Sequence, residues 1–158
     1  MDGNWHEPEW GLHPELVEAL GHLALEASAH GIAFACVSGA RSFHRQALLY
    51  MTYRRSPEEA RLKYGVVAAP APMGVSRHHR FYDGRAIACD LRPEAADAAE
   101  KVMKLRTLGR LAPALGLVWG GTWSRPDTVH FELASVAGEI VNVESAFLAL
   151  AKKLDALA

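Results

Sequence analysis

The sequence predicts an α+β domain, a small and mainly antiparallel sheet flanked by helices. Three observations predict it. Apolar residues recur at helical spacing over Pro14–His30. Short apolar runs such as Ile32–Ser38 follow glycine and have the length of buried strands. "GLVWGGTW" and "DTVHFEL" then read as strand, Gly-Gly turn and strand. With 158 residues, half of them hydrophobic, the chain is long enough for one domain with a core of its own.

The elements follow in order. In the first helix Leu16, Leu20, Leu23, Leu25 and Ala27 supply an apolar stripe, Pro14 suits the first turn, and Gly31 stops it. Ile32–Ser38 is the first strand. "FHRQALLYMTYRR" is a second helix with Ser42 as its N-cap, and "SPEEARLKYG" adds a helical turn. "VVAAPAPMGVS" is an irregular loop. Asp83-Gly84 is a hairpin-turn signal between β-prone flanks. A long helix is expected from Pro93, broken near Gly109 or Pro113, then the two strands of the Gly-Gly turn. Val136–Leu157 closes the chain as an amphipathic helix laid on the core.

A formal net charge of −1 gives no strong electrostatic case for nucleic acid or an anionic membrane. No run approaches ~18 apolar residues, so no stable membrane insertion is expected. The first thirty residues mix acids and histidines and do not form a secretory leader. The expectation is synthesis in the cytoplasm, with any action on a cell wall or periplasm following release by another route. Cys36 and Cys89 sit in apolar runs and read as small buried hydrophobes.

Two stretches carry chemistry. "SRHHRFYDGRAIACDL", residues 76–91, places His78 and His79 upstream of an apolar run ending at Asp90. "WGGTWSRPDTVHFEL", residues 119–133, contains Asp127-x-x-His130. A histidine can bind a metal while a carboxylate three residues earlier stays outside the ligand set and accepts a proton from water. Alone, Asp-x-x-His is a weak signal. With a histidine of the 78–79 pair and Asp90 it completes a two-histidine, one-carboxylate zinc set that leaves a position open. Strand alternation cannot choose between the adjacent histidines unaided. A two-residue Asp83-Gly84 turn would put His79 beside Asp90, and a shift of one residue or a bulge would restore His78.

Three blocks, spanning residues 38–133, resemble the zinc D-alanyl-D-alanine carboxypeptidases and phage L-alanyl-D-glutamate endopeptidases of peptidoglycan. "SGARSFHRQALLY" is similar to the family's Gly-Tyr-Arg-Ser block, "SRHH…AIACDL" to its Ser-x-His…Gly-x-Ala-x-Asp-Leu motif, and "VWGGTW…PDTVHFEL" to its Trp-Gly-Gly-x-Trp…Asp-x-x-His-Phe-Glu ending. The resemblance implies a Hedgehog/DD-peptidase-like fold, one zinc per chain and a single catalytic domain over residues 1–158. It implies His78, Asp90 and His130 as zinc ligands, its Ser-x-His pattern selecting His78, with His79 facing away or supporting from behind. Asp127 would be the general base, and Arg41 would polarise the scissile carbonyl or hold a substrate carboxylate. Ser76 and Gln46 would orient site or substrate, Trp119 and Trp123 would line the cleft, and Glu132 would hydrogen-bond a ligand, standing second to Asp127 as a base.

Two departures bear on substrate choice. The family usually spaces its first histidine and aspartate by seven residues, whereas His78 and Asp90 are twelve apart, which reads as an insertion around "RFYDG". Ala40 stands in place of the family's tyrosine. The resemblance implies a zinc peptidase of stem peptides, an L-alanyl-D-glutamate endopeptidase of the endolysin kind. Alternatives are a D-alanyl-D-alanine carboxypeptidase or a zinc-stabilised domain that binds peptidoglycan without cutting it.

Overall fold

Four antiparallel strands form one sheet in the order β1-β2-β4-β3, where β1 is Phe34–Ser38, β2 Ala88–Pro93, β3 Leu117–Trp119 and β4 His130–Leu133. The computed structural model describes residues 3–66, 70, 76–79, 84–135 and 156. Among the described residues four α-helices accompany the sheet: α1 (Pro14–Ser28), α2 (Phe43–Arg55), α3 (Pro57–Tyr64) and α4 (Ala98–Leu111). The α+β expectation holds.

Each helix starts where a side chain satisfies an otherwise orphaned backbone amide. His13 accepts from Glu15 N before α1, Ser42 from Arg45 N before α2, Ser56 from Glu59 N before α3, and Asp97 from Glu100 N before α4. The last differs from the sequence expectation. Pro93 does not open α4 but ends β2. Asp97, with a free carboxylate to cap, is the better start than a proline still engaged in the sheet. Gly109 lies buried inside α4, against the Trp119 ring, where a Cβ would collide. The helix gives way at Ala112 to a 3-10 turn through Leu115.

Period-two alternation divides the sheet into two faces. Cys36, Cys89, Leu91, Phe131 and Leu133 join a core with Leu16, Leu20 and Leu23 of α1 and Leu105 and Leu108 of α4. Burying that many large side chains, at roughly 1.5–3 kcal/mol each, is the main drive for closing the helices onto the sheet. Leu25 is not part of the stripe and is 69% exposed. Two residues past Leu23 it is turned about 200° around the helix, away from the sheet. Both cysteines are free and buried.

The opposite face carries Asp90, paired with Ser38 on one side and His130 on the other, and Glu132, paired with Ala88. The expected hairpin of residues 76–82 with 85–91 does not form in the described residues. Residues 77–78 are a hydrogen-bonded turn, and both edges of β2 are taken, by β1 and β4. Among the described residues one backbone bond, Ile87 N to Arg77 O at 3.2 Å, ties that turn to the chain leading into β2. Gly84 has φ 71°, but Asp83, most of the "VVAAPAPMGVS" loop and the expected helix at 136–157 lie outside the described residues, save for single positions. The Gly-Gly link is a 3-10 turn, Gly120–Thr122, followed by an irregular stretch to β4.

Candidate metal centre

Asp90 and His130 meet because they are register partners across the central β2–β4 ladder. Paired residues share a face, so the ladder itself holds their side chains together. His78 arrives from the turn at 76–79. Its backbone carbonyl accepts from Arg41 N at 2.7 Å, and its ring Nδ1 lies 2.8 Å from the Gly39 carbonyl. Ser76 Oγ accepts from His78 N at 3.2 Å, shaping the turn from within. His79 points away from the centre, with Nδ1 3.2 Å from the Arg41 carbonyl. Three bonds therefore sew residues 78–79 to residues 39–41.

The hydrogen bonds set the tautomers. A carbonyl can only accept, so His78 carries its proton on Nδ1 and presents the Nε2 lone pair. His130 Nε2 donates to Glu132 Oε2 at 2.7 Å, leaving the Nδ1 lone pair. Those lone pairs are 3.3 Å apart, and each faces Asp90 Oδ1, at 3.5 Å from His78 and 3.7 Å from His130. Three electron-rich atoms converging on one point, all mutually within 4.8 Å, repel unless a cation lies among them. A tetrahedral zinc with bonds of about 2.0–2.1 Å needs ligand atoms separated by roughly 3.3–3.5 Å. The residues fit the ion.

The protonation states fit as well. Burial pushes the His78 imidazole down from its ordinary pKa, only partly offset by the contact with Asp90, so it stays neutral. Burial would raise Asp90, but the contact with His78 and the Arg41 guanidinium at 2.7 Å, with His130 beyond, bring it down to about 2. Ligands that are neutral imidazole and ionised carboxylate need lose no proton to take a metal.

Arg41 serves Asp90. Its Nη2 donates to Asp90 Oδ2 at 2.7 Å and to Ser38 Oγ at 3.1 Å, while Nη1 reaches Gln46 Oε1 at 3.3 Å. Gln46 is almost wholly buried on α2. Asp127 stands beside the ligands without joining them. Its Oδ1 is buried with no hydrogen-bond partner among the described residues. Burial, and then the Asp90 charge, raise its pKa. The turn that presents it needs Gly120, where a Cβ would come within 2.5 Å of the Asp127 carbonyl. Trp123 lies tilted against the His130 ring, centroids 4.9 Å apart, and lines the cleft. Trp119 does not line it. Its indole donates to the Thr128 carbonyl at 2.7 Å and closes the turn from the far side.

The centre opens into a cleft of about 1050 Å³. Motif spacing did not single out Trp10 or Arg92, which also line the cleft, or the role of Gly39, whose carbonyl sets the His78 tautomer. Arg92 was accessible to reasoning, since alternation from Asp90 puts it on the same face. The contacts of Gly39 and Trp10 depend on segments brought together only by folding.

Residues 73–133 match the family model described as D-alanyl-D-alanine carboxypeptidase. No curated protein matches the chain. Among solved structures, the LdcB LD-carboxypeptidase is 17% identical with a TM-score of 0.56, over 90% of this chain and 64% of that one. DacB from Streptococcus pneumoniae is 22% identical, TM-score 0.53, over 92% of this chain and 77% of that one. The VanY D,D-pentapeptidase, solved with Zn(II), is 16% identical, TM-score 0.54, over 78% of this chain and 73% of that one. This chain thus spans less than two thirds of the LdcB structure it resembles. The segment bearing the three convergent side chains and Asp127 is thus similar to the family described as D-alanyl-D-alanine carboxypeptidase, and the chain around it shares the fold of these solved structures.

Proposed function

We propose that this protein is a zinc-dependent peptidase that hydrolyses peptidoglycan stem peptides, cutting between L-alanine and D-glutamate. The observation that carries the hydrolytic reading is Asp127: a half-buried carboxylate beside three convergent ligand atoms, with one buried oxygen that has no hydrogen-bond partner among the described residues. A domain that only gripped its ligand through a structural zinc would have no use for such a group.

His78, Asp90 and His130 would hold the ion, which supplies Lewis acidity toward a carbonyl oxygen and a lowered pKa for water. Asp127 accepts the proton as water attacks the scissile carbonyl carbon, and returns it to the leaving amine when the C–N bond breaks. Its raised pKa suits a group that must take and release one proton per turnover. Arg41 acts through Asp90, fixing the carboxylate so that Oδ1 stays on the ligand side. Glu132 does the same for His130 from behind. Trp123 gives the cleft an apolar wall beside the ligands. The resemblance of residues 38–133 to the phage L-alanyl-D-glutamate endopeptidases supports an internal bond.

The family description and the LD-carboxypeptidase likeness favour a second reading, removal of a terminal D-alanine. Mass spectrometry of muropeptides after incubation with cross-linked sacculi separates the two. Fragments ending in L-alanine support the endopeptidase, and free D-alanine alone would transfer the chain to the carboxypeptidases. Chelation should stop either reaction and zinc should restore it. Hydrolysis that survives complete metal removal would refute the proposal.

A further inference from the structure

We infer that the N-terminal segment, residues 4–13, is a strap that positions the docked ligand His78, with the Trp10 carbonyl as its point of action. The inference rests on the reading of His78 as a zinc ligand, and adds the residues that hold its imidazole ready for the ion. The strap lies outside residues 73–133, which match the family model.

His78 is only as well placed as the stretch it docks on. Gly39 O accepts from its ring Nδ1 at 2.8 Å, and Arg41 N donates to its carbonyl at 2.7 Å. Residues 39–41 follow the end of β1 at Ser38 and stand outside the sheet. Among the described residues, one backbone hydrogen bond ties them to anything other than the turn they hold. Ala40 N donates to the Trp10 carbonyl at 2.7 Å. The Arg41 side chain adds contacts with Ser38, Gln46 and Asp90, but these fix its guanidinium rather than the Gly39 carbonyl. The approach of the strap is close. A Cβ on Gly39 would lie 2.4 Å from the Trp10 oxygen, so glycine at this position is what admits it.

The Trp10 carbonyl is a firm acceptor because the strap is pinned on both flanks. β1 is an edge strand, and Asn4 covers its bare backbone in place of another strand. Asn4 Nδ2 donates to Cys36 O at 2.9 Å, and Oδ1 accepts from Cys36 N at 2.8 Å. Trp5 is buried and stacks on Phe34 with ring centroids 5.1 Å apart. On the other flank, Gly11 O accepts from Ala86 N at 2.9 Å and His13 N donates to Ala86 O at 2.8 Å. Ala86 leads into β2 and so toward Asp90. One strap thus grips β1, residues 39–41 and the approach to β2 together. A fixed acceptor at Gly39 keeps the His78 proton on Nδ1 and the Nε2 lone pair turned to the other ligands before a metal arrives. Without the strap contact, zinc binding would have to order that imidazole, and the cost would appear as lost affinity.

The test compares three variants of the full chain with the parent. Gly39→Ala should break the Ala40–Trp10 bond and weaken zinc binding about tenfold, the scale of a lost support behind a ligand. Competition with a chromogenic chelator reads it. Asn4→Ala, which frees the strap at Cys36, should weaken zinc binding in the same direction but by less. Leu105→Val, a core change on α4, should lower Tm and leave zinc affinity unchanged. In the metal-free parent, NMR should show the Ala40 amide protected from hydrogen exchange and His78 as the Nδ1–H tautomer. In Gly39→Ala and Asn4→Ala that amide should exchange faster and the tautomers should mix. Zinc affinity unchanged in both strap variants, an equal loss in Leu105→Val, or a freely exchanging Ala40 amide in the parent overturns the inference. Should Gly39→Ala fail to fold, Asn4→Ala decides by itself. A parent chain with the expected NMR pattern but no zinc binding would leave the strap standing and overturn the metal reading instead.

Discussion

The candidate metal centre draws its three converging side chains from two differently built regions. Asp90 and His130 sit opposite each other in the β2–β4 ladder, where backbone hydrogen bonds fix their separation before any metal arrives. His78 sits in a turn outside the sheet, placed by three hydrogen bonds to residues 39–41. The first pair is held by regular structure and the third ligand by docking. Two preset side chains and one docked one would make a site largely formed before a metal binds, and a bound metal would tie the turn to the sheet. The same contrast separates the supports: Arg41 and Glu132 each steady a strand-borne ligand, whereas a backbone carbonyl, Gly39 O, steadies the docked one.

The largest expected effect tests whether the docked ligand matters as much as the strand pair. His78→Ala and His130→Ala should both lose most of their bound zinc and all measurable hydrolysis, while His79→Ala keeps the zinc. Metal analysis of the purified variants decides it, and zinc lost from His79→Ala but kept by His78→Ala would put the ligand in the wrong imidazole. Next in size is Asp127→Ala, which should retain zinc and lose roughly 10²-fold or more in kcat, the scale of a general base. A larger loss in Glu132→Ala than in Asp127→Ala would reverse the two roles.

Glu132→Gln should weaken zinc binding about 10-fold or somewhat more, because the amide supports the His130 N–H less well than a carboxylate. Competition with a chromogenic chelator measures it, and an unchanged affinity would remove Glu132 from the support of the ladder ligand. The smallest effect concerns Arg41 and acid. Asp90's folded pKa of about 2 lies below its ordinary 3.8, so its ionised form stabilises the fold above that ordinary value and the contribution disappears as pH falls toward 2. His78, also lowered, works in the same direction, costing stability as pH drops below 6.5. Removing the cation in Arg41→Gln should raise the Asp90 pKa, move the acid-unfolding midpoint of the metal-free chain upward, and cost about 2 kcal/mol near neutrality. Circular dichroism against pH reads it, and an unmoved midpoint would show that the 2.7 Å contact contributes nothing.

Most of the site could be read from residue order because its chemistry is local in sequence. Asp127-x-x-His130 places base and ligand on one short approach, and alternation along "ACDLRP" puts Asp90 on the face opposite Cys89 and Leu91. Caps at Ser42 and the stop at Gly31 were legible for the same reason, since each acts within one turn of chain. What folding alone decided is non-local. An idealised turn at Asp83-Gly84 would pair residues 76–79 with β2, but the sheet gives both edges of β2 to β1 and β4, leaving those residues to a turn. That choice swings His78 toward the ligands and His79 toward the Arg41 carbonyl. It also brings Asp90 within 2.7 Å of Arg41, 49 residues earlier in the chain. Period and spacing describe one segment at a time, whereas strand order and long-range ion pairs depend on which segments win the same edge, a competition settled by the burial of the whole core.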